Sequence, residues 1–128
     1  MTIKSSNQLV SEALQEIKTI STEEALKLSK DKVCNLIDIR DVRELENIGR
    51  IDNAIHIPRG MLEFWMDPDS PYVKEGKVDM KKEMVLFCAG GLRSALAAKS
   101  LKDMGYENVC HIQGGFASMQ NSGFKVIK

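Results

Sequence analysis

The fold is decided by residues 84–101, "MVLFCAGGLRSALAAKSL", in which an apolar run ends at a cysteine and a helical pattern follows. The run 84–88 is typical of a buried strand because it is short, continuous and apolar. Residues 93–105 predict a helix that Gly105 closes. A strand that passes through a glycine turn into a helix is the repeating unit of parallel α/β folds.

The segments on either side repeat this alternation. Further strands are predicted at 33–39 ("VCNLIDI"), 53–58 ("NAIHIP") and 108–112 ("NVCHI"). Helices are predicted at about 6–19, 21–29, 41–47, 60–65 and 114–123, and the segment 66–77, with two prolines and a glycine, predicts a long loop. Val10, Leu14 and Ile17 are expected to form the buried face of the first helix. The pattern predicts one α/β domain over residues 1–128, with the helix at about 6–19 as an N-terminal extension.

Composition excludes several classes of function. Lys and Arg total 18 and Asp and Glu total 18, so the formal net charge is zero. This balance argues against a broad basic surface for nucleic acid or for an anionic membrane. The N-terminal residues carry charges and no long apolar run, so neither a secretory signal nor a membrane span is expected. The cysteines Cys34, Cys88 and Cys110 form no Cys-x-x-Cys pair, which predicts no disulfide framework, no metal site and a cytoplasmic location.

The loop after the strand carries the chemistry. Gly90 and Gly91 can adopt positive φ angles, so successive backbone N–H groups can converge on one point beside a helix N-terminus. A thiol at that point is predicted to have a lowered pKa, and Arg93 adds a full positive charge. The favoured interpretation is a nucleophilic Cys88 thiolate, and the simpler alternative is a buried cysteine beside an ordinary turn. The predicted anion-binding loop consists of Ala89, Gly90, Gly91, Leu92, Arg93 and Ser94.

Three blocks of the sequence resemble the rhodanese family of sulfurtransferases. The loop "CAGGLRS" is similar to the family's active-site loop, Cys-x-x-Gly-x-Arg-Ser. The upstream block "LIDIRDVRELENIGRIDNAIHIP" resembles the family's Asp-x-Arg block, and "HIQGGFASMQNSGFKV" resembles its Gly-Gly-aromatic block. The blocks stand in the family's order and cover residues 33–126, whereas the N-terminal helix lies outside them.

The resemblance implies a fold and a reaction. The fold is a three-layer α/β sandwich in which helices flank a mainly parallel five-stranded sheet. The reaction is the transfer of sulfane sulfur: Cys88 attacks a donor, thiosulfate or a persulfide, and passes the outer sulfur to a thiol or cyanide acceptor, or to a partner protein. No cofactor is implied. Members that prefer thiosulfate often carry basic residues where this chain has Ala89 and Gly90, which puts thiosulfate in doubt.

Two alternatives remain open. The domain could be a persulfide carrier or a non-catalytic interaction module. Under any of these functions the protein is expected to be a monomer or a homodimer. The second alternative is a Cdc25-like phosphatase or an arsenate reductase. From Cys88 to Arg93 inclusive the loop has six residues. The resemblance implies a longer loop for phosphate, so the six-residue loop favours sulfur.

Residues outside the loop complete the predicted site. Asp38 and Glu44 are expected to be structural, with Arg40 paired to a carboxylate such as Glu44 or touching substrate. A position at the rim of the pocket is predicted for Arg59, Arg40, Phe64 and Trp65, with packing under the long loop as the alternative for the two aromatic residues. Core packing rather than catalysis is expected for His56, His111, Cys34 and Cys110.

Overall fold

A computed structural model describes residues 2–128 and shows a five-stranded sheet in which all pairings are parallel. Its strands are β1 (Lys18–Ile20), β2 (Cys34–Asp38), β4 (Ile55–His56), β5 (Glu83–Phe87) and β6 (Val109–Ile112). They lie in the order β1-β6-β5-β2-β4. A separate antiparallel pair joins β3 (Arg50–Ile51) to β7 (Val126–Ile127).

Helices connect these strands. They are α1 (Ser6–Glu16), α2 (Thr22–Lys30), α3 (Val42–Ile48), α4 (Leu62–Trp65), α5 (Pro71–Lys74), α6 (Leu92–Met104) and α7 (Gly115–Met119). A 3₁₀ turn, Arg59–Met61, leads into α4. Among residues 2–128, no helix combines the length and the apolar character that a membrane crossing requires.

Helices cover both faces of the sheet, as the three-layer prediction requires. Leu86 of β5 belongs to a core that includes Ala97 and Leu101 of α6. Its neighbour Phe87 belongs to a second core, which includes Ala25 of α2 and Met119 of α7. Successive strand residues point to opposite faces, so this alternation makes β5 the centre of both cores. The predicted fold class, an α/β sandwich built on a five-stranded sheet, is confirmed.

The predicted first helix is wrong at its C-terminal end and in part of its buried face. It ends at Glu16, and residues 18–20 form the edge strand β1, which pairs with β6. Val10 and Ala13 pack against α6, but Leu14 is exposed. Pairing with β6 satisfies backbone groups that one more helical turn would have satisfied locally, and it buries Ile20 against Ile112 of β6.

Local capping explains two further elements. A capping box begins α3: the Asp41 carboxylate accepts from the Arg43 N–H, and the Glu44 carboxylate accepts from the Asp41 N–H at 3.0 Å. The segment 66–77, predicted as a loop, contains α5. Ser70 caps this helix and Pro71 occupies its first turn, where a missing N–H costs nothing.

Candidate active site

The carboxyl edge of the sheet gathers the predicted site residues. Cys88 directly follows β5, and Arg40 and Arg59 follow β2 and β4. Gly114 and Gly115 follow β6 at the same edge and begin α7. Parallel strands present their carboxyl ends together, and this is the edge where α/β folds bind ligands.

Backbone N–H groups converge on the Cys88 sulfur. The Gly91 N–H donates to Sγ at 3.1 Å and the Ser94 N–H donates at 3.3 Å. The Ser94 hydroxyl oxygen lies 3.6 Å from Sγ. Cys88 as a whole is only 1% exposed. These donors favour a negative charge on the sulfur because each points positive charge at it.

The N-terminal turn of α7 holds the loop from behind. The Phe116 N–H donates to the Cys88 carbonyl at 2.8 Å, and the Ala117 N–H donates to the Ala89 carbonyl at 3.2 Å. Carbonyls that are bound to α7 cannot turn toward the sulfur. Gly115 makes this contact close, since a Cβ there would overlap the Cys88 carbonyl oxygen and lie 2.9 Å from the Ala89 carbonyl.

The two glycines of the loop behave differently. Gly91 adopts φ +104° and precedes α6, where its N–H turns toward Sγ. Residue types with a Cβ are strained in that conformation, so glycine is required there. Gly90 is not among the residues with positive φ, and a Cβ there would meet nothing within 4 Å. A positive φ, which the sequence allows at both glycines, therefore occurs at Gly91 and not at Gly90.

The groups of Gly90, Gly91 and Ser94 that surround the sulfur are together called the cradle. The cradle lowers the pKa of the Cys88 thiol below its ordinary value. Burial is the largest single effect on this pKa and raises it. The hydrogen bonds from the Ser94 hydroxyl and from the N–H groups of Ser94, Gly91 and Gly90 together outweigh burial. The predicted direction of the shift is confirmed, but these hydrogen bonds, rather than the charge of Arg93, are its main cause.

Arg93 is bound to a carboxylate beside the loop. Its two terminal nitrogens donate to the two oxygens of Glu44 at 2.9 and 3.0 Å. This hydrogen bonding lowers the pKa of Glu44 and raises that of Arg93, and the charge on Cys88 adds to the rise for Arg93. Arg40 pairs with a carboxylate, as predicted, but the carboxylate is Asp38 rather than Glu44, which Arg93 occupies.

Arg40 lies in the core rather than at the rim of a pocket. Its guanidinium binds both oxygens of Asp38, at 2.8 Å to one of them, and donates to the Gly49 carbonyl at 3.0 Å. It stacks on the Phe116 ring with its central carbon 4.0 Å from the ring centroid. The side chain is fully buried, so the predicted contact between Arg40 and substrate is wrong.

The other predicted rim residues differ in their surroundings. Arg59 pairs with Glu63 at 2.9 Å, and Glu63 also accepts from the Ser100 hydroxyl on α6. Phe64 is 70% exposed. Trp65 is half-buried and stacks on Tyr72 of α5 at 4.9 Å between ring centroids, which is the packing under the segment 66–77 that the sequence left open. Leu92, within the loop, is 59% exposed.

A buried hydrogen-bonded chain extends from the thiol, and the sequence did not predict it. The Ser94 hydroxyl lies 2.8 Å from Nδ1 of His111, and Nε2 of His111 lies 2.9 Å from the Thr19 hydroxyl. Ser94 and His111 are buried, whereas Thr19 is exposed on β1. A signal did exist: a histidine within the apolar strand 108–112 needs buried hydrogen-bond partners.

The remaining cysteines differ from Cys88. Burial raises the pKa of Cys34, and burial together with Glu83 raises the pKa of Cys110 far above the ordinary value for a thiol. Both side chains pack in the core that contains Phe87, and both thiols are free. Among residues 2–128, no group of His, Cys, Asp and Glu has the arrangement of a metal site.

A cysteine held by backbone N–H groups at the carboxyl edge of a parallel sheet defines a class of cysteine-loop α/β domains. The rhodanese-like domain family matches residues 21–122, and the chain belongs to this family. The solved structure of a Rhodopseudomonas palustris protein of unknown function, described as a possible tyrosine phosphatase, is 42% identical. The match covers 99% of this chain and 98% of that chain, with a TM-score of 0.86.

Curated relatives of two kinds are also similar to the chain. Thiosulfate sulfurtransferase GlpE of Shewanella oneidensis is 27% identical over 105 residues, which are 82% of this chain and 94% of that protein. The tRNA uridine(34) hydroxylase of Hamiltonella defensa is 32% identical over 96 residues, which are 75% of this chain. The chain spans only 26% of that hydroxylase, so the match concerns one portion of a longer protein.

Proposed function

We propose that this protein is a sulfurtransferase that carries sulfane sulfur as a persulfide on Cys88. The Cys88 thiolate attacks the outer sulfur of a donor and forms a Cys88–sulfur bond. The donor's sulfur–sulfur bond breaks, and its electron pair stays with the remainder of the donor molecule, which leaves as an anion. A nucleophilic acceptor then attacks the outer sulfur, and the Cys88 thiolate leaves. The substrate-binding loop in this proposal is residues 89–94.

The observation that carries this proposal is the convergence of N–H donors on the Cys88 sulfur. The Gly91 and Ser94 N–H groups lie 3.1 and 3.3 Å from Sγ, so they favour the thiolate needed for attack. In this proposal the loop N–H groups also stabilise the Cys88 persulfide, because its terminal sulfur is anionic. Membership of the rhodanese-like family and the similarity to thiosulfate sulfurtransferase GlpE also support sulfur chemistry.

The donor we favour is a persulfide rather than thiosulfate. Thiosulfate carries two negative charges and needs a cation at the mouth of the loop. Arg93 is bound to Glu44, and Arg59 is bound to Glu63. The exposed apolar side chain of Leu92, within the loop, favours a donor of lower charge, such as a thiol persulfide on a small molecule or on a partner protein.

Phosphatase activity is the second candidate, because the Rhodopseudomonas palustris relative is described as a possible tyrosine phosphatase. A phosphatase arginine must hold phosphate oxygens with its planar fork. Here both terminal nitrogens of Arg93 hold Glu44 instead. The six-residue loop also favours sulfur over phosphate.

A donor and acceptor panel tests these choices. The purified protein is incubated with a thiol persulfide, with thiosulfate or with p-nitrophenyl phosphate, and sulfur transfer to cyanide or to a thiol, or phosphate release, is measured. We expect sulfur transfer, faster from the persulfide, that Cys88→Ser abolishes and Cys34→Ser leaves intact. Phosphate release that Cys88→Ser abolishes would support the phosphatase instead.

The same assay separates an enzyme from a carrier. An enzyme turns over many times with a free small-molecule acceptor, whereas a carrier stops after loading one sulfur per chain. We propose that the protein turns over and that it works in the cytoplasm, where its three free thiols would stay reduced.

A further inference from the structure

Cys88 is 1% exposed, and the loop groups that donate to its sulfur, the N–H groups of Gly91 and Ser94, belong to the backbone. Backbone N–H groups donate but cannot accept a proton. The Ser94 hydroxyl is a side-chain group within hydrogen-bond contact of Sγ, and it can accept a proton as well as donate one. This hydroxyl also contacts His111, so two successive hydrogen-bond contacts connect the thiol to a histidine.

The chain of contacts crosses from the buried thiol to the protein surface. Sγ lies 3.6 Å from the Ser94 oxygen, that oxygen lies 2.8 Å from Nδ1 of His111, and Nε2 lies 2.9 Å from the Thr19 oxygen. Ser94 and His111 are buried, and Thr19 is exposed on the edge strand β1. Each member can both donate and accept, which is the requirement for passing a proton along a chain.

The hydrogen bonds that link Cys88, Ser94, His111 and Thr19 can all point one way along the series or all point the other way. With a protonated thiol, the S–H group donates to Ser94, the Ser94 hydroxyl donates to Nδ1, and Nε2–H donates to Thr19. With a thiolate, Thr19 donates to Nε2, Nδ1–H donates to Ser94, and the Ser94 hydroxyl donates to the sulfur. The two directions differ by one proton and by the tautomer of a neutral imidazole. Burial lowers the pKa of His111, which keeps the ring neutral in both.

We propose that Ser94, His111 and Thr19 form a proton path for Cys88, and that the His111 tautomer reverses when the thiol loses its proton. The S–H bond breaks as an O–H bond forms at Ser94, and the former Ser94 proton binds Nδ1. The Nε2 proton passes to the Thr19 oxygen, and one proton leaves to water. No electrons are gained or lost. His111 and Thr19 act through Ser94 and are positioning residues for the sulfur chemistry proposed above.

Nitrogen NMR of the His111 ring tests the reversal without any sulfur donor, so its outcome is independent of the proposed transfer activity. The ring is followed while pH is raised through the pKa of Cys88, which the alkylation rate reports separately. We expect the proton to move from Nε2 to Nδ1 with the midpoint of Cys88, and to stay on Nε2 in Cys88→Ala. If the His111 proton stays on the same ring nitrogen while Cys88 loses its proton, the proposal is overturned.

Variants of Thr19 provide a second measurement that does not disturb the core. Thr19→Val removes the hydroxyl that donates to Nε2 of His111 when Cys88 is a thiolate. Thr19→Ser keeps the hydroxyl and is the matched control. We expect Thr19→Val to raise the pKa of Cys88 by up to about one unit, which is about a tenfold slower alkylation at a fixed pH below it. The charged groups around the loop, Arg93 with Glu44 and Asp38 with Arg40, are unchanged in both variants. Equal Cys88 pKa values in the two variants would contradict the path.

Discussion

Arg93 and Glu44 join the active-site loop to the helix that follows β2, with two hydrogen bonds of 2.9 and 3.0 Å between the guanidinium and the carboxylate. Glu44 is itself fixed by the capping box of α3, through the Asp41 N–H. The carboxylate thus has two tasks: it begins α3 and it holds the arginine of the loop. This pairing keeps Arg93 from offering both terminal nitrogens to an anionic substrate.

Glu44→Gln should release Arg93 and change the choice of donor. We expect the rate with thiosulfate to rise relative to the rate with a thiol persulfide, because the guanidinium becomes able to bind an anion. Paired measurements of kcat/KM for the two donors check this. Glu63→Gln, which releases Arg59 instead, is the comparison variant. An unchanged ratio in Glu44→Gln would show that the pairing does not govern donor choice.

The same pair predicts how stability depends on pH. The pKa of Glu44 is lower in the folded protein than in the unfolded chain, chiefly because of the Arg93 hydrogen bonds, so the unfolded chain binds more protons in acid. The contribution is complete at neutral pH and is lost as pH falls from about 4 through the folded pKa. Because both side chains are partly exposed, it amounts to at most about 1 kcal/mol. Urea unfolding of wild type and Glu44→Gln should converge in acid; a constant difference at all pH values would contradict this.

Gly115→Ala should damage the loop from behind. The added Cβ overlaps the Cys88 carbonyl oxygen at a positive φ of +57°, so either the loop or α7 must shift. We expect a loss of about 1–3 kcal/mol in stability and a rise in the pKa of Cys88. Gly90→Ala is the matched control, since a Cβ there meets nothing within 4 Å and stability should change by about 0.5 kcal/mol or less. Equal effects in the two variants would contradict the claim that the N-terminal turn of α7 holds the Cys88 loop in place.

Arg40→Met should destabilise the fold through the core. It leaves the Asp38 carboxylate buried without its partner, which costs about 3–5 kcal/mol. The double variant Asp38→Leu with Arg40→Met should recover part of this loss, because it removes the unpaired charge as well. Chemical denaturation measures both. A small effect of Arg40→Met alone would mean that water reaches the pair.

The three thiols should react in a fixed order. The cradle lowers the pKa of Cys88, and burial raises the pKa of Cys34 and of Cys110. At neutral pH we expect iodoacetamide to modify Cys88 first, with a pH midpoint below that of an ordinary thiol, about 8.5. Peptide mapping assigns each site, with Cys34 and Cys110 as internal comparisons. Faster modification of Cys34 would contradict the cradle.

The sequence predicts the centre of this molecule better than its edges. The strand, glycine turn and helix of residues 84–104 are predicted correctly because local patterns determine them. The edge strand β1 is missed because two of its three residues are exposed and its pairing partner β6 lies about ninety residues away. The same separation hides the contact between Thr19 and His111.

For a similar reason, the partners of Arg40 and Arg93 differ from those expected, which are Glu44 for Arg40 and the anion of the loop for Arg93. Asp38, Arg40, Glu44 and Arg93 are all visible in the sequence, but their pairing depends on which side chains the fold buries. Arg40 follows β2 into the core and binds Asp38, which leaves Glu44 for the arginine of the loop. Residue types alone do not fix that outcome.

The most direct test of the central claim is intact-mass analysis of the protein after incubation with a thiol persulfide, followed by addition of an acceptor thiol. We predict that the chain gains one sulfur atom, that peptide mapping assigns it to Cys88, and that the acceptor removes it. The Cys34→Ser variant should load equally, and Cys88→Ser should not load. A Cys88 that alkylates readily yet never gains sulfur from any sulfane donor would contradict the account.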